Sequence, residues 1–165
     1  MARRWPWLAA AAIAALDRAS KNWIETRVAE WEAIPVIDGF FRIVHTRNTG
    51  VAFSLFAEQG AGPGGWVLTA MTGALTLLMA ALLWHACRSQ REHWTLPAAL
   101  ACILAGAGGN LFDRVAFGSV TDFLDVYWGA HHWPAFNVAD ASITCGAALL
   151  FWNAWISRKA APGAV

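Results

Sequence analysis

The stretch WVLTAMTGALTLLMAALLW, Trp66–Trp84, decides the fold of this chain because it contains no charged side chain. It lies inside a longer segment, from 59 to 87, that also lacks Asp, Glu, Lys and Arg. At 1.5 Å per residue, a helix of this length crosses about 30 Å of hydrocarbon, the thickness of a bilayer core. The stretch therefore predicts a membrane-spanning helix at about 66–86.

Three further apolar segments accompany it. His93 to Phe112 and Ala141 to Ser157 are uncharged, whereas the segment that starts at Trp5 reaches charged residues before a span would end. Two of these, Asp17 and Lys21, are spaced i, i+4 and can pair on a helix, so we expect the helix to continue. A secretory signal peptide is the alternative interpretation of this first segment. We predict four spans, at about 5–24, 66–86, 94–113 and 138–157.

The composition agrees with a membrane protein of one domain, residues 1–165. Of the 165 residues, 58% are hydrophobic and only 14% are charged, well below the roughly 25% charge of soluble proteins. The net charge of +1 argues against nucleic-acid binding, which calls for a basic surface. The three cysteines form no CxxC pair, and His131-His132 is interpreted as an interfacial loop. We expect no metal and no cofactor.

Basic residues set the predicted orientation. They cluster before the first span, between the second and third, and after the fourth, at Arg3, Arg4, Arg88, Arg91, Arg158 and Lys159. By the positive-inside rule, both termini are expected on the cytoplasmic side. The longer connections, about 26–65 and 114–133, then lie on the outer side. Six tryptophans near the predicted span ends fit an interfacial belt: Trp66, Trp84, Trp94, Trp128, Trp133 and Trp155.

The first outer connection is rich in β-forming residues, over about 34–60. Phe40–His45 and Val51–Phe56 are separated by the turn-like Asn48-Thr49-Gly50, which predicts two paired strands. A hairpin alone is marginally stable in water, so we expect this sheet to lean on the helices or on the membrane.

Polar residues converge at the outer ends of the predicted spans. An ionisable side chain beside hydrocarbon costs about 2.5–3.5 kcal/mol, so each is a functional candidate. Simple structural roles compete: Asp17 and Lys21 form a packing ion pair, Arg114 caps a helix, and Asp113 pairs with Arg114. The residues in this group are Asp17, Lys21, Asn48, Asn110, Asp113, Arg114, Asp122, Asn137 and Asp140.

Asp122 and Asp140 are the carboxylates that matter most. Two converging carboxylates share one proton and divide into an acid and a base, which suffices for peptide hydrolysis by water. Asp113 and Asp125 are rival members of such a pair. No serine has a convincing histidine partner, and HExxH is absent. A small proton-coupled transporter is the alternative function, but it predicts ionisable residues at midspan or repeated halves.

Five motifs, in order, carry a resemblance. They are Asp17-x-x-x-Lys21, Asn48-Thr49-Gly50-Val51-Ala52-Phe53-Ser54, Gly109-Asn110-Leu111-Phe112-Asp113-Arg114, Val120-Thr121-Asp122-Phe123 and Phe136-Asn137-Val138-Ala139-Asp140. Together they resemble the lipoprotein signal peptidases, the type II signal peptidases of bacteria, over roughly Leu16 to Gly146. Gly108 stands where that family tends to have Leu, and Thr121 where a second Val is usual. We expect neither departure to touch a polar group.

The resemblance implies a mainly α integral membrane protein with four transmembrane helices and a small extracytoplasmic β-sheet, the family's cradle. It implies an aspartyl protease of the inner membrane that cuts diacylglyceryl prolipoproteins before the lipidated lipobox cysteine. Asp122 and Asp140 would be the catalytic dyad. The expected partners are this substrate and membrane lipid, without nucleic acid, and the enzyme is expected to act as a monomer. Substrate-binding or supporting roles would fall to Asp17, Lys21, Asn48, Asn110, Arg114 and Asn137.

Overall fold

Four long helices and a small sheet make up the computed structural model, which describes residues 2–49, 63–89 and 92–160. The helices are α1 (Trp5–Arg27), α2 (Pro63–Arg88), α3 (Thr95–Phe117) and α4 (Val138–Ala160). Each has at least 23 residues, enough to cross a bilayer core at 1.5 Å per residue. The predicted mainly helical fold with a small sheet is confirmed.

Helix α3 is the centre of the bundle and packs against α1, α2 and α4. Small residues allow this close packing. A Cβ atom on Gly106 would lie 2.3 Å from the backbone oxygen of Ala139, and one on Gly146 would lie 2.8 Å from that of Ala99. Glycine at these positions therefore sets the distance between α3 and α4.

Helix α2 lies at the edge of the bundle and exposes apolar surface. Only 6% of the residues in its most apolar window are buried, against 56% for the equivalent window of α3. Among the described residues, these two helices are the ones long and apolar enough to cross a membrane by length and composition alone. Exposing this apolar surface to water would cost free energy, so we expect lipid around α2.

The sheet has four antiparallel strands in chain order, β1 (Ala33–Ile37), β2 (Phe41–Asn48), β3 (Val120–Trp128) and β4 (His131–His132). It differs from the predicted hairpin. Strand β2 pairs with the segment before it and with β3, while the predicted partner at 51–56 lies outside the described residues. The His131-His132 pair, interpreted from sequence as a loop, forms β4 instead.

One apolar cluster joins the sheet to the bundle. Ile24 and Val28, at the end of α1, pack with Phe123 of β3, and all three are buried. This contact places β3 beside the ends of α1 and α3, which it also contacts. Asp122, which precedes Phe123, therefore lies at the same end of the bundle as the start of α4.

Prediction for helix packing. Replacing Gly106 by Ala forces its new methyl group against backbone and is expected to cost about 1–3 kcal/mol of unfolding free energy. Gly108→Ala is the matched control, because its Cβ would meet nothing closer than 4.0 Å. Thermal unfolding in detergent measures both variants. Equal stability of the two would contradict the proposed close approach of α3 and α4.

Candidate active site

The site is built around the first turn of α4. The side-chain oxygen of Asn137 accepts a hydrogen bond from the backbone N–H of Asp140 at 3.0 Å. In return, Oδ2 of Asp140 accepts one from the backbone N–H of Asn137 at 3.3 Å. This reciprocal pair is a capping box, which satisfies two N–H groups that a helix start would otherwise leave unpaired. The cap fixes the orientation of the Asp140 carboxylate.

Asn137 also holds the second aspartate. Its side-chain Nδ2 donates to Oδ1 of Asp122 at 2.7 Å, while Nδ2 of Asn48 donates to Oδ2 at 3.0 Å. Asp122 is 3% exposed and Asn137 is fully buried. One amide side chain therefore contacts both Asp122 and the Asp140 residue, although the two aspartates come from a strand and a helix.

Asn110 of α3 supports Asp140 from the other side. Its Nδ2 donates to Oδ1 of Asp140 at 2.8 Å. Its Oδ1 accepts from Nζ of Lys21 at 3.1 Å and from Nδ2 of Asn137 at 3.5 Å. Both oxygens of Asp140 thus have a donor, and Asn110 joins the two aspartates to the charges of α1.

Lys21 is completely buried and lies between two carboxylates. Its Nζ is 2.8 Å from Oδ2 of Asp17 and 2.7 Å from Oδ2 of Asp113. Oδ1 of Asp17 in turn accepts the backbone N–H of Ala139 at 2.9 Å, in the first turn of α4. The predicted Asp17–Lys21 ion pair is confirmed, and it also anchors the start of α4.

The predicted pairing of Asp113 with Arg114 is wrong. Oδ1 of Asp113 accepts from Arg18 of α1 at 2.8 Å, and its other oxygen faces Lys21. The preference for Asp122 over Asp113 agrees with this arrangement, since both oxygens of Asp113 are held by cations. Asp125, the other rival, faces Arg42 at 2.6 Å and His132 at 3.1 Å.

Arg114 has hydrogen-bonding capacity that the described residues do not use. Its charge interacts with those of Asp140 and Asp122, and one guanidinium nitrogen donates to the backbone oxygen of Asn110 at 3.3 Å. It forms no ion pair within the described parts of the chain, and its buried Nε has no hydrogen-bond partner there. Arg114 also lines a cavity of about 540 Å³, bounded further by Arg47, Thr49, Trp66, Thr69, Val115 and Ser119.

Burial changes the proton affinity of Asp122. Burial raises the pKa of this carboxyl from 3.8 to about 6. The negative charge of Asp140 also raises the pKa, whereas the hydrogen bonds from Asn48 and Asn137 lower it. Asp140, by contrast, lies in the first turn of α4, where the helix dipole favours a negative charge. The two carboxyls therefore have different electrostatic environments.

Three polar residues beside the site were not among the sequence candidates. Arg18 contacts both Asp113 and Glu25. Thr121, expected to touch no polar group, donates from Oγ1 to Oε1 of Glu25 at 2.7 Å. The spacing of Arg18 and Glu25, seven residues and two helical turns apart, was the available signal for a shared helix face.

Sequence comparisons with known proteins lead to one family. The sequence profile of the family described as Signal peptidase (SPase) II matches residues 9–156. A protein named lipoprotein signal peptidase from Solibacter usitatus is 45% identical over 86% of this chain and 84% of its own length. One with the same name from Desulforapulum autotrophicum is 44% identical over 86% and 85%.

Solved structures with a similar fold are membrane enzymes. One, a bacterial membrane enzyme determined by the in meso method at 2.3 Å, superposes with a TM-score of 0.76 and 25% identity. The match covers 97% of this chain and 92% of that one. Another, determined at 1.9 Å, gives 0.72 with 28% identity over 88% and 89%. The integral membrane class predicted from the sequence is confirmed.

Prediction for the buried ion pairs. Lys21→Met keeps the aliphatic volume but removes the cation between Asp17 and Asp113, and is expected to cost about 3–5 kcal/mol of unfolding free energy. Arg47→Met is the control, since its pair with Glu30 is half exposed and such pairs contribute about 0–1 kcal/mol. Chemical unfolding in detergent measures both. A Lys21→Met protein as stable as the control would refute the anchoring role.

Proposed function

The chain belongs to the signal peptidase II family and is a peptidase, and on that premise we propose that it is an aspartyl endopeptidase. Its proposed substrates are prolipoproteins whose lipobox cysteine already carries diacylglycerol. It would cut the peptide bond before that cysteine and release the signal peptide. Asp122 and Asp140 are the proposed catalytic pair.

One observation carries this proposal: a single buried side chain, Asn137, hydrogen-bonds Asp122 and caps Asp140. Two carboxyls held by the same group, in a poorly hydrated place, cannot both ionise cheaply, because like charges repel. Rival acids lack this relation, because Asp113 faces the cations Arg18 and Lys21, and Asp125 faces Arg42 and His132. Peptide hydrolysis by two carboxyls needs one proton shared between them.

The proposed division of roles follows from the electrostatics. Asp140 is the ionised member, stabilised by the start of α4 and by the Asn110 amide. Asp122 is the member that retains the proton up to about pH 6, because burial raises its pKa to about 6. Each Asp122 oxygen accepts an amide N–H, and the oxygen that carries the proton keeps a lone pair for that hydrogen bond.

The reaction then needs a water molecule and the substrate carbonyl between the two acids. Asp140 takes a proton from the water while the water oxygen attacks the scissile carbonyl carbon. Asp122 donates a hydrogen bond to the carbonyl oxygen. Collapse of the tetrahedral intermediate breaks the C–N bond, and Asp140 passes the proton that it took from the water to the leaving nitrogen. The pair ends with one proton, as it began.

Arg114 is the proposed donor for the developing negative charge. It is a cation beside both acids, and its Nε has no partner in the described residues. A donor of this kind in a poorly hydrated site contributes about 3–4 kcal/mol to the transition state. Asn48 at the mouth of the site supports Asp122 directly.

We place the active site at the outer side of the bacterial inner membrane. The dyad lies where the end of α3 and the start of α4 meet the sheet, so the four helices would cross the bilayer with the sheet outside. Arg3 donates to the backbone oxygen of Glu92, which brings the N-terminus beside the α2–α3 connection, at the opposite end. Basic residues at that end support a cytoplasmic position for both termini.

A lipid-anchored substrate suits a small membrane protease. The acyl chains of the substrate can stay in the bilayer, where each buried CH₂ contributes about 0.8 kcal/mol, while the cysteine backbone reaches the dyad. This arrangement needs no deep lipid pocket in the protein. We propose that a single copy of the chain suffices, because both acids and their donors come from one chain.

Prediction for the dyad. Asp122→Asn and Asp140→Asn keep the shape of each side chain but remove the acid–base pair, and each is expected to lower cleavage by about 10²–10⁴-fold or more. The measurement is cleavage of a purified diacylglyceryl prolipoprotein in detergent, with folding checked by thermal unfolding. Asp125→Asn is the matched control, because Asp125 lies on the same strand and faces Arg42.

The control should cleave at close to the wild-type rate. Full activity of a folded Asp122→Asn or Asp140→Asn protein would remove that residue from the dyad. Loss of activity in Asp125→Asn but not in Asp122→Asn would transfer the role to Asp125.

A further inference from the structure

The contact between Thr121 and Glu25 lies outside the proposed chemistry. Thr121 is 3% exposed and directly precedes Asp122 on β3. Side chains alternate along a strand, so Thr121 faces away from the side that carries Asp122. Its hydroxyl donates to Glu25 of α1 at 2.7 Å, and its backbone oxygen accepts from Asn137 at 3.4 Å.

Glu25 links this strand to the buried charges of the bundle. Its second oxygen contacts Arg18, which donates to Asp113 at 2.8 Å. Asp113 faces Lys21, which reaches Asn110 and, through it, Asp140. A continuous series of polar contacts therefore runs from the residue before Asp122, through α1 and α3, to Asp140.

We infer that Thr121 and Glu25 are positioning residues for Asp122. Their hydrogen bond fixes the strand behind Asp122 to the same ion-pair network that holds Asp140, so that the two acids keep one relative position. This inference rests on the proposed function of the dyad. Neither residue contacts the reacting atoms; they act through β3.

The test starts with Thr121→Val, which keeps the shape of the side chain and removes its hydroxyl. We expect kcat for prolipoprotein cleavage to fall about tenfold or more, since small misplacements of a catalytic group are costly, while KM stays within about twofold. Thr121→Ser restores a hydroxyl and should recover most of kcat. Thr26→Val is the matched control, because within the described residues its hydroxyl bonds only to the backbone of its own helix.

A pH profile separates positioning from loss of stability. Loosened hydrogen bonds from Asn48 and Asn137 favour the protonated form of Asp122, so its pKa rises and the alkaline limb of the profile moves to higher pH in Thr121→Val. The charged groups that act on Asp122, namely Asp140, Lys21 and Arg114, are unchanged in this variant. Reduced stability alone would lower the amount of active enzyme without moving the limb.

The inference is overturned if Thr121→Val keeps kcat within twofold of wild type, or if Thr121→Ser loses as much as Thr121→Val. If Thr121→Val does not fold, Glu25→Gln and Glu25→Leu decide: the first keeps an acceptor for the Thr121 hydroxyl and should retain more kcat than the second. Equal rates would refute the inference. Asp122→Asn, assayed alongside, tests the dyad itself: an active Asp122→Asn enzyme refutes the proposed function, whereas an inactive one beside a fully active Thr121→Val enzyme refutes this inference alone.

Discussion

The cap of α4 by Asn137 is the interaction on which the rest of the site depends. A helix that starts inside a protein leaves N–H groups that must find partners. Here Asn137 and Asp140 satisfy two of them, and Asp17 accepts a third from Ala139. Because the Asn137 amide also donates to Asp122, the same structural requirement that starts the helix brings two acids together.

Buried charge is tolerated at this end of the bundle because it is paired. Lys21 is completely buried, yet it lies between the carboxylates of Asp17 and Asp113. Removing one partner would leave the others desolvated without compensation. A paired network of this kind favours one arrangement, which suits a site that must hold two acids in a fixed relation. Close packing at Gly106 and Gly109 allows α1, α3 and α4 to approach far enough to share these contacts.

The sequence predicted what depends on local periodicity and missed what depends on long-range pairing. Uncharged stretches indicated the long helices, and the i, i+4 spacing indicated the Asp17–Lys21 pair. Strand β3 escaped prediction because its partner β2 lies more than 70 residues earlier in the chain. Likewise, Asp113 was assigned to its sequence neighbour Arg114, whereas helix packing supplies Arg18 and Lys21. The catalytic roles of Asp122 and Asp140 stay a prediction.

The central claim, that Asp122 and Asp140 behave as one proton-sharing pair, is tested most directly by infrared titration of the Asp122 carboxyl. Its signal is the one lost in Asp122→Asn. We predict that Asp122 titrates with a pKa of about 6 in the wild type, and that this pKa falls in Asp140→Asn because a neighbouring negative charge has gone. An Asp122 that titrates near 3.8, or whose pKa is the same in Asp140→Asn, would contradict the account.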